Sequence, residues 1–106
     1  MLAKEHRLRS SDEIREVVKS GKRVSNQVAT IHFLPSTSNQ FSVVASKAVG
    51  NAVIRNLARR RTKAVLFDFQ DKTPAIRAVV RLKPEAASVG WEKLSESLRE
   101  LLGKIR

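Results

Sequence analysis

The densest positive charge in the chain lies between Lys47 and Lys63, where Lys47, Arg55, Arg59, Arg60, Arg61 and Lys63 occur with no acidic residue among them. Such a run suits a phosphate backbone, because each guanidinium can hold two phosphate oxygens and each contact releases condensed counterions. Wound as a helix at about 100° per residue, the segment places Arg55, Asn56, Arg59, Arg60 and Lys63 within an arc of about 140°. Val53, Ile54, Leu57, Ala58, Ala64 and Val65 fall on the opposite side, which predicts an apolar docking face with a polar stripe behind it. Arg61 falls among the apolar positions and is expected to snorkel to their edge. A basic helix can equally be a merely solvated face. The net charge of +11, with no acidic residue on this helix before Asp68, favours nucleic acid. Lys47 and the Gly50-Asn51 turn just ahead of the helix add free N–H groups that attract anions, a feature that alone would mean no more than a cap.

Other chemistries lack their residues. Side-chain catalysis needs a nucleophile with a base, a pair of carboxylates with separated pKa values, or a set of metal ligands. His6 and His32 are the only histidines, with no H-x-x-x-H spacing, and cysteine is absent, so neither a zinc site nor a thiolate nucleophile can be assembled. No G-x-S-x-G or P-loop pattern occurs. The chain is therefore expected to carry no catalytic residue and no metal ligand of its own.

The elements that must position the stripe can be read in order. Ser10 stands three residues before Glu13, a capping-box spacing, and Ile14, Val17 and Val18 follow at helical intervals until Gly21. Val24 to Leu34 reads as one strand, with Val28, Thr30 and His32 alternating against Ala29, Ile31 and Phe33. The polar Pro35–Gln40 stretch has the length of a hairpin loop, and Phe41–Ala45 resumes a β pattern. Gly50 ends the sheet, Asn51 is a good N-cap, and Ala52 to Phe69 contains neither Gly nor Pro. Asp71–Pro74 breaks that helix, Ala75–Leu82 gives a further strand, and Pro84 marks another break. Trp91, Leu94, Leu98, Leu101, Leu102 and Ile105 then recur at three- and four-residue steps, an amphipathic closing helix.

With 106 residues, no internal repeat and no linker, one domain spanning 1–106 is expected, an α+β sandwich of helices on a small sheet. Apolar residues make up 42% and aromatics 5%, which permits a modest core of Val, Ile, Leu and Ala. A membrane surface would also attract the charge, but the only Trp lies in the least basic part of the chain, and no segment reaches the length of a signal peptide or membrane span. The reading is of a cytoplasmic protein. A helix-turn-helix DNA binder would share the basic helix but not the strands, so DNA is not expected as a partner. A ribosomal or other translational RNA-binding protein would share both charge and fold class.

The wording of the basic segment separates these alternatives. Ser46-Lys47-Ala48-Val49-Gly50-Asn51-Ala52-Val53-Ile54-Arg55-Asn56, followed by Arg59-Arg60 and Lys63, resembles the signature of the bacterial ribonuclease P protein family. The Leu8–Val24 stretch and the Leu-rich closing helix are also similar, so the resemblance covers about residues 4 to 102. It implies the order α-β-β(-β)-α-β-α in a two-layer, ribosomal-protein-like sandwich with a left-handed β-α-β crossover, opposite to the usual hand. It further implies a non-catalytic subunit of an endoribonuclease that removes the 5′ leader of precursor tRNA. The partners would be a catalytic RNA and precursor tRNA, and the holoenzyme would use Mg²⁺ held largely by RNA. Lys47, Asn51, Arg55, Asn56, Arg59, Arg60 and Lys63 match the residues that contact the catalytic RNA. Ile14, Val18 and His32 match a cleft that receives the leader. Two positions depart from the pattern: Leu57 replaces the usual second Arg of an Arg-Asn-Arg triplet, and Ala48 replaces a common second Lys.

Overall fold

A computed structural model describes residues 11–37, 39–69 and 75–105. They form α1 (Ser11–Ser20), β1 (Lys22–Ser25), β2 (Ala29–Pro35), β3 (Gln40–Ala45), a single 3-10 turn (Lys47–Val49), α2 (Ala52–Phe69), β4 (Ile76–Leu82), the one-turn α3 (Glu85–Ser88) and α4 (Trp91–Gly103). The α+β class and the order of the main elements agree with the sequence. The short α3 after Pro84 is additional. Ser10, His6 and the Asp71–Pro74 break lie outside the described residues.

The Val24–Leu34 segment is two strands rather than one, and a single side chain divides it. Asn26 Oδ1 accepts hydrogen bonds from the backbone N–H of Val28 (3.0 Å) and Ala29 (3.2 Å), an Asx turn that reverses the chain. Its Nδ2 donates to the Ser97 carbonyl of α4 at 2.9 Å, so the turn is tied to the closing helix. At the other end of β1, Gly21 donates its N–H to the Val17 carbonyl at 2.9 Å. A Cβ at Gly21 would lie 2.4 Å from that oxygen and 2.6 Å from the Phe33 carbonyl oxygen, so only glycine lets the end of α1 rest on β2.

The sheet order is β1-β2-β4-β3. β2 and β3 therefore do not pair as a hairpin: β4 lies between them, antiparallel to β2 and parallel to β3. Burial accounts for the insertion. Five of the seven residues of β4 are buried, Ile76, Ala78, Val79, Val80 and Leu82, and so are four of the seven in β2. Strands covered on both faces belong in the middle of a sheet. β1, with Lys22 and Arg23 exposed, makes a charged edge that discourages further strand pairing. The parallel β3–β4 pair needs a crossover, and α2 is that crossover.

The two faces of the sheet are unequal. Ala29, Ile31, Phe33, Ala78, Val80 and Leu82 meet Ala58, Val65 and Leu66 of α2 and the leucines of α4 in the main core. On the reverse face Val17 of α1 packs on Val79, with Ile14, Val18 and Leu34 partly buried beside them. An Arg77–Glu16 ion pair at 3.2 Å joins β4 to α1 on this side.

α2 docks by a different face from the one its hydropathy suggests. Ala58, Thr62, Val65 and Leu66 are its buried residues. Val53 is 77% exposed, Ile54 41% and Leu57 39%, and Ala64 is exposed too, so of the six expected docking residues only Ala58 and Val65 serve. Two causes combine. None of the first six residues of α2 is buried: Val53 faces solvent, and Ile54 and Leu57 lie only at the margin of the core, lining a shallow hollow with Ala86 and Ala87 of α3. Thr62, polar by type, enters the core because its Oγ1 donates to the Ala58 carbonyl at 2.8 Å.

Candidate nucleic-acid interface

The basic stripe survives this rotation because it flanks the docked face. Asn56 and Arg60 are exposed, and Arg55, Arg59 and Lys63 are partly so, nearer the core contact. Arg59 Nη2 donates to Asn56 Oδ1 at 2.7 Å, which holds one guanidinium along the helix surface. None of these cations pairs with a carboxylate among the described residues. Arg55 is partly buried, with its Nε covered and without a hydrogen-bond partner among the described residues. Lys47 is exposed on the 3-10 turn.

Asn51 is the cap expected of it: its Oδ1 accepts from the Ile54 N–H at 3.0 Å, and its carbonyl accepts from the Arg55 N–H at 2.9 Å. Gly50 before it takes φ +152°, where a Cβ would lie 2.8 Å from the Ile54 side chain. Lys47, Gly50 and Asn51 thus fix where the helix starts and bring an extra cation to its N-terminal end. Arg61 is partly exposed, the edge position that snorkelling required.

The second set of residues gathers on the other face of the sheet. Ile14 and Val18 line a groove with Arg15, Val44, Val79 and Arg81. His32 lies in a neighbouring hollow with Arg23, Thr30, Arg81 and Lys83, so Arg81 borders both. His32 is only 7% exposed, and its Nδ1 finds no hydrogen-bond partner among the described residues. Burial first, then the charges of Arg81 and Arg23, hold its pKa below the usual histidine value. What this hollow offers to solvent is chiefly Arg23 and Arg81, since Lys83 Nζ is committed to Ser25 Oγ (2.9 Å) and the Asn26 carbonyl (2.6 Å).

Sequence reasoning does not single out Arg15, Arg23 and Arg81. A signal is present in β4: Arg77 and Arg81 alternate with Ile76, Ala78, Val80 and Leu82, which puts the arginines on the side of Val79 and α1. Among the described residues no three His, Asp or Glu side chains gather as metal donors. No helix among them is long and apolar enough to cross a membrane.

A ribonuclease P family model matches residues 2–106. The chain belongs to the ribonuclease P protein family. The ribonuclease P protein component of Corynebacterium diphtheriae is 32% identical over 115 residues, covering 99% of this chain and 97% of that one. That of a Nocardioides species is 35% identical over 111 residues, with 99% and 95% covered. Among solved structures, the Staphylococcus aureus ribonuclease P protein superposes with a TM-score of 0.87 at 20% identity, over 92% of this chain and 93% of that one. The Thermotoga maritima protein gives 0.85 at 21%, over 94% and 97%. These structures establish the fold, while the family match sets aside the ribosomal-protein alternative.

Proposed function

We propose that the two surfaces divide the work of a ribonuclease P protein subunit, with α2 holding the RNA subunit and the groove under α1 taking the 5′ leader of precursor tRNA. Membership of the family makes the chain a subunit of an endoribonuclease that matures tRNA 5′ ends and associates it with ribonuclease P RNA. The observation that carries the assignment of surfaces is the run of Arg55, Asn56, Arg59, Arg60 and Lys63 along the exposed flank of α2, free of carboxylate partners among the described residues. Lys47 and Asn51 extend it at the N-terminal end. A row of cations spaced by helical turns can follow successive phosphates.

The groove of Ile14, Val18 and Val44 presents aliphatic surface, bordered by Arg15 and Arg81. Aliphatic side chains give no π-face for stacking, so the leader is held here by charge on its phosphates, with His32 shaping the adjoining hollow. In this reading cleavage chemistry belongs to the RNA, which also holds the Mg²⁺. The setting is the cytoplasm, where precursor tRNA is made.

The test is reconstitution. Protein with RNA subunit should release the 5′ leader in Mg²⁺, and protein rigorously freed of RNA should not. Arg59→Ala and Arg60→Ala should each weaken binding to the RNA subunit and reduce the slope of log K against log salt by about 0.7 to 0.9 for each phosphate that is no longer neutralised. Their melting temperatures should barely move. Unchanged RNA affinity in both variants would remove α2 from the interface.

A further inference from the structure

Beyond Arg60, the flank of α2 carries a patch that the phosphate stripe does not use. Leu57 is 39% exposed, Ala64 is open, and α4 sets Trp91, 43% exposed, beside them to form a shallow hollow rimmed by Arg60 and Arg61. Core packing does not account for the Trp: α4 buries Leu94, Leu98, Leu101 and Leu102, and leaves its first residue outside. A half-exposed indole forgoes much of the hydrophobic stabilisation that its size could give. With Leu at position 57, the floor of the hollow is apolar, while both cations at its rim lack carboxylate partners among the described residues.

The occupant that fits has a flat apolar centre and negative charge at its margins. A second copy of this chain would bring another +11 to a patch already bordered by two arginines, so self-association here is opposed by charge. An unpaired nucleotide meets both requirements, its base lying on the indole and its flanking phosphates reaching the guanidiniums. Arg60 belongs to the stripe and to the rim, so an RNA strand following the stripe arrives at the hollow without a gap.

We propose that Trp91, with Leu57 and Ala64 as floor and Arg60 and Arg61 as clamps, stacks one unpaired base of the RNA bound along α2. This rests on the reading of α2 as the RNA interface. The chain has one Trp and no Tyr, so its intrinsic emission reports this hollow alone. Titration with ribonuclease P RNA, and with single-stranded oligoadenylate, should quench that emission, whereas a duplex RNA of equal length at the same salt should quench it far less. Trp91→Ala should raise the Kd for the RNA subunit about 5- to 150-fold, the range expected when one base loses its stacking partner, and Trp91→Phe should retain most of the affinity. Trp91→Leu preserves apolar area without a large π-face and should behave as Trp91→Ala, which separates stacking from a general loss of packing. Arg59→Ala keeps the two readings apart, since Arg59 lies in the stripe and not at the hollow. If Arg59→Ala weakens binding while RNA leaves the emission unchanged and Trp91→Ala binds normally, the stacking site is overturned and the stripe stands. If Arg59→Ala and Arg60→Ala both leave RNA affinity unchanged, the stripe fails and the platform with it. A blue shift growing with protein concentration in the absence of RNA would place a second copy on the patch and overturn the proposal.

Discussion

Leu57, read as a docking residue, is half-exposed while Thr62 is buried in the core, and the difference can be measured. Leu57 is 39% exposed, so Leu57→Ala should lower stability by less than about 1 kcal/mol, whereas Leu66→Ala, at a site 1% exposed, should cost about 2 to 5 kcal/mol. Urea denaturation of the two variants decides it, and equal losses would return Leu57 to the core. A helical wheel weighs side-chain type alone, so it cannot see that Thr62 satisfies its hydroxyl on its own helix and becomes cheap to bury. The cations are legible for the complementary reason: Arg and Lys need solvent or a partner, so their positions mark the outside wherever the docked face falls. His32 gives a second test at this scale. Its folded pKa lies below the ordinary 6.5, through burial and then the charges of Arg81 and Arg23. The unfolded chain therefore binds the proton more readily, so His32 adds stability that is fully present above about pH 6.5 and is lost as pH falls below it. Relative to His32→Gln, the natural protein should lose melting temperature between about pH 7 and pH 5. Parallel pH curves for the two proteins would mean that His32 is not held neutral by its surroundings.

At the scale of elements, residues with local effects are readable in the sequence and residues with distant partners are not. Asn51 and Gly50 act on the first turn of α2, a few residues away, and the cap follows from residue type. Asn26 makes its turn locally, through Val28 and Ala29, but the hydrogen bond from its Nδ2 that ties the turn to the Ser97 carbonyl, 71 residues on, exists only in the folded chain and leaves no mark in the sequence. The hairpin expected between β2 and β3 fails for a similar reason. The loop has the right length, but β4, with five of its seven residues buried, takes the central place and displaces β3 from the neighbour it would have by chain order. Gly21 tests how tightly α1 is held to this arrangement. A methyl group there meets two backbone oxygens, neither of which can turn aside as a side chain would. Gly21→Ala should therefore destabilise by about 1 to 3 kcal/mol, against about 1 kcal/mol for removal of the α2 cap in Asn51→Ala. Thermal melts of the two variants compare them, and an unaffected Gly21→Ala would show that α1 can move off β2 freely.

Across the whole molecule, the net charge of +11 is spread over opposite sides of one sheet, with Arg60 on the helical layer over the main core and Arg81 on the side of α1. A field of this sign draws any RNA and cannot alone assign strands to surfaces. Selectivity must come from what each face adds: a spaced row of cations on α2, and an aliphatic groove with arginines at its margins under α1. The two faces share no side-chain partners among the described residues, so substitutions on them should act independently. Arg60→Ala should weaken assembly with the RNA subunit to the same extent whether or not the substrate carries a leader. Arg81→Ala should leave assembly intact, weaken binding of leader-containing precursor tRNA more than of mature tRNA, and flatten the salt dependence of that difference by about the equivalent of one phosphate. His32→Ala should move in the same direction as Arg81→Ala and less far, since His32 is almost covered. In the Arg60→Ala, Arg81→Ala double variant the free-energy losses should add to within about 0.5 kcal/mol. Binding of precursor and mature tRNA to the reconstituted complex, measured at several salt concentrations for these variants and the natural protein, provides every quantity required. Coupling well above that margin would mean that one strand spans both faces. Equal weakening of both tRNAs by Arg81→Ala would mean that the groove under α1 does not hold the leader.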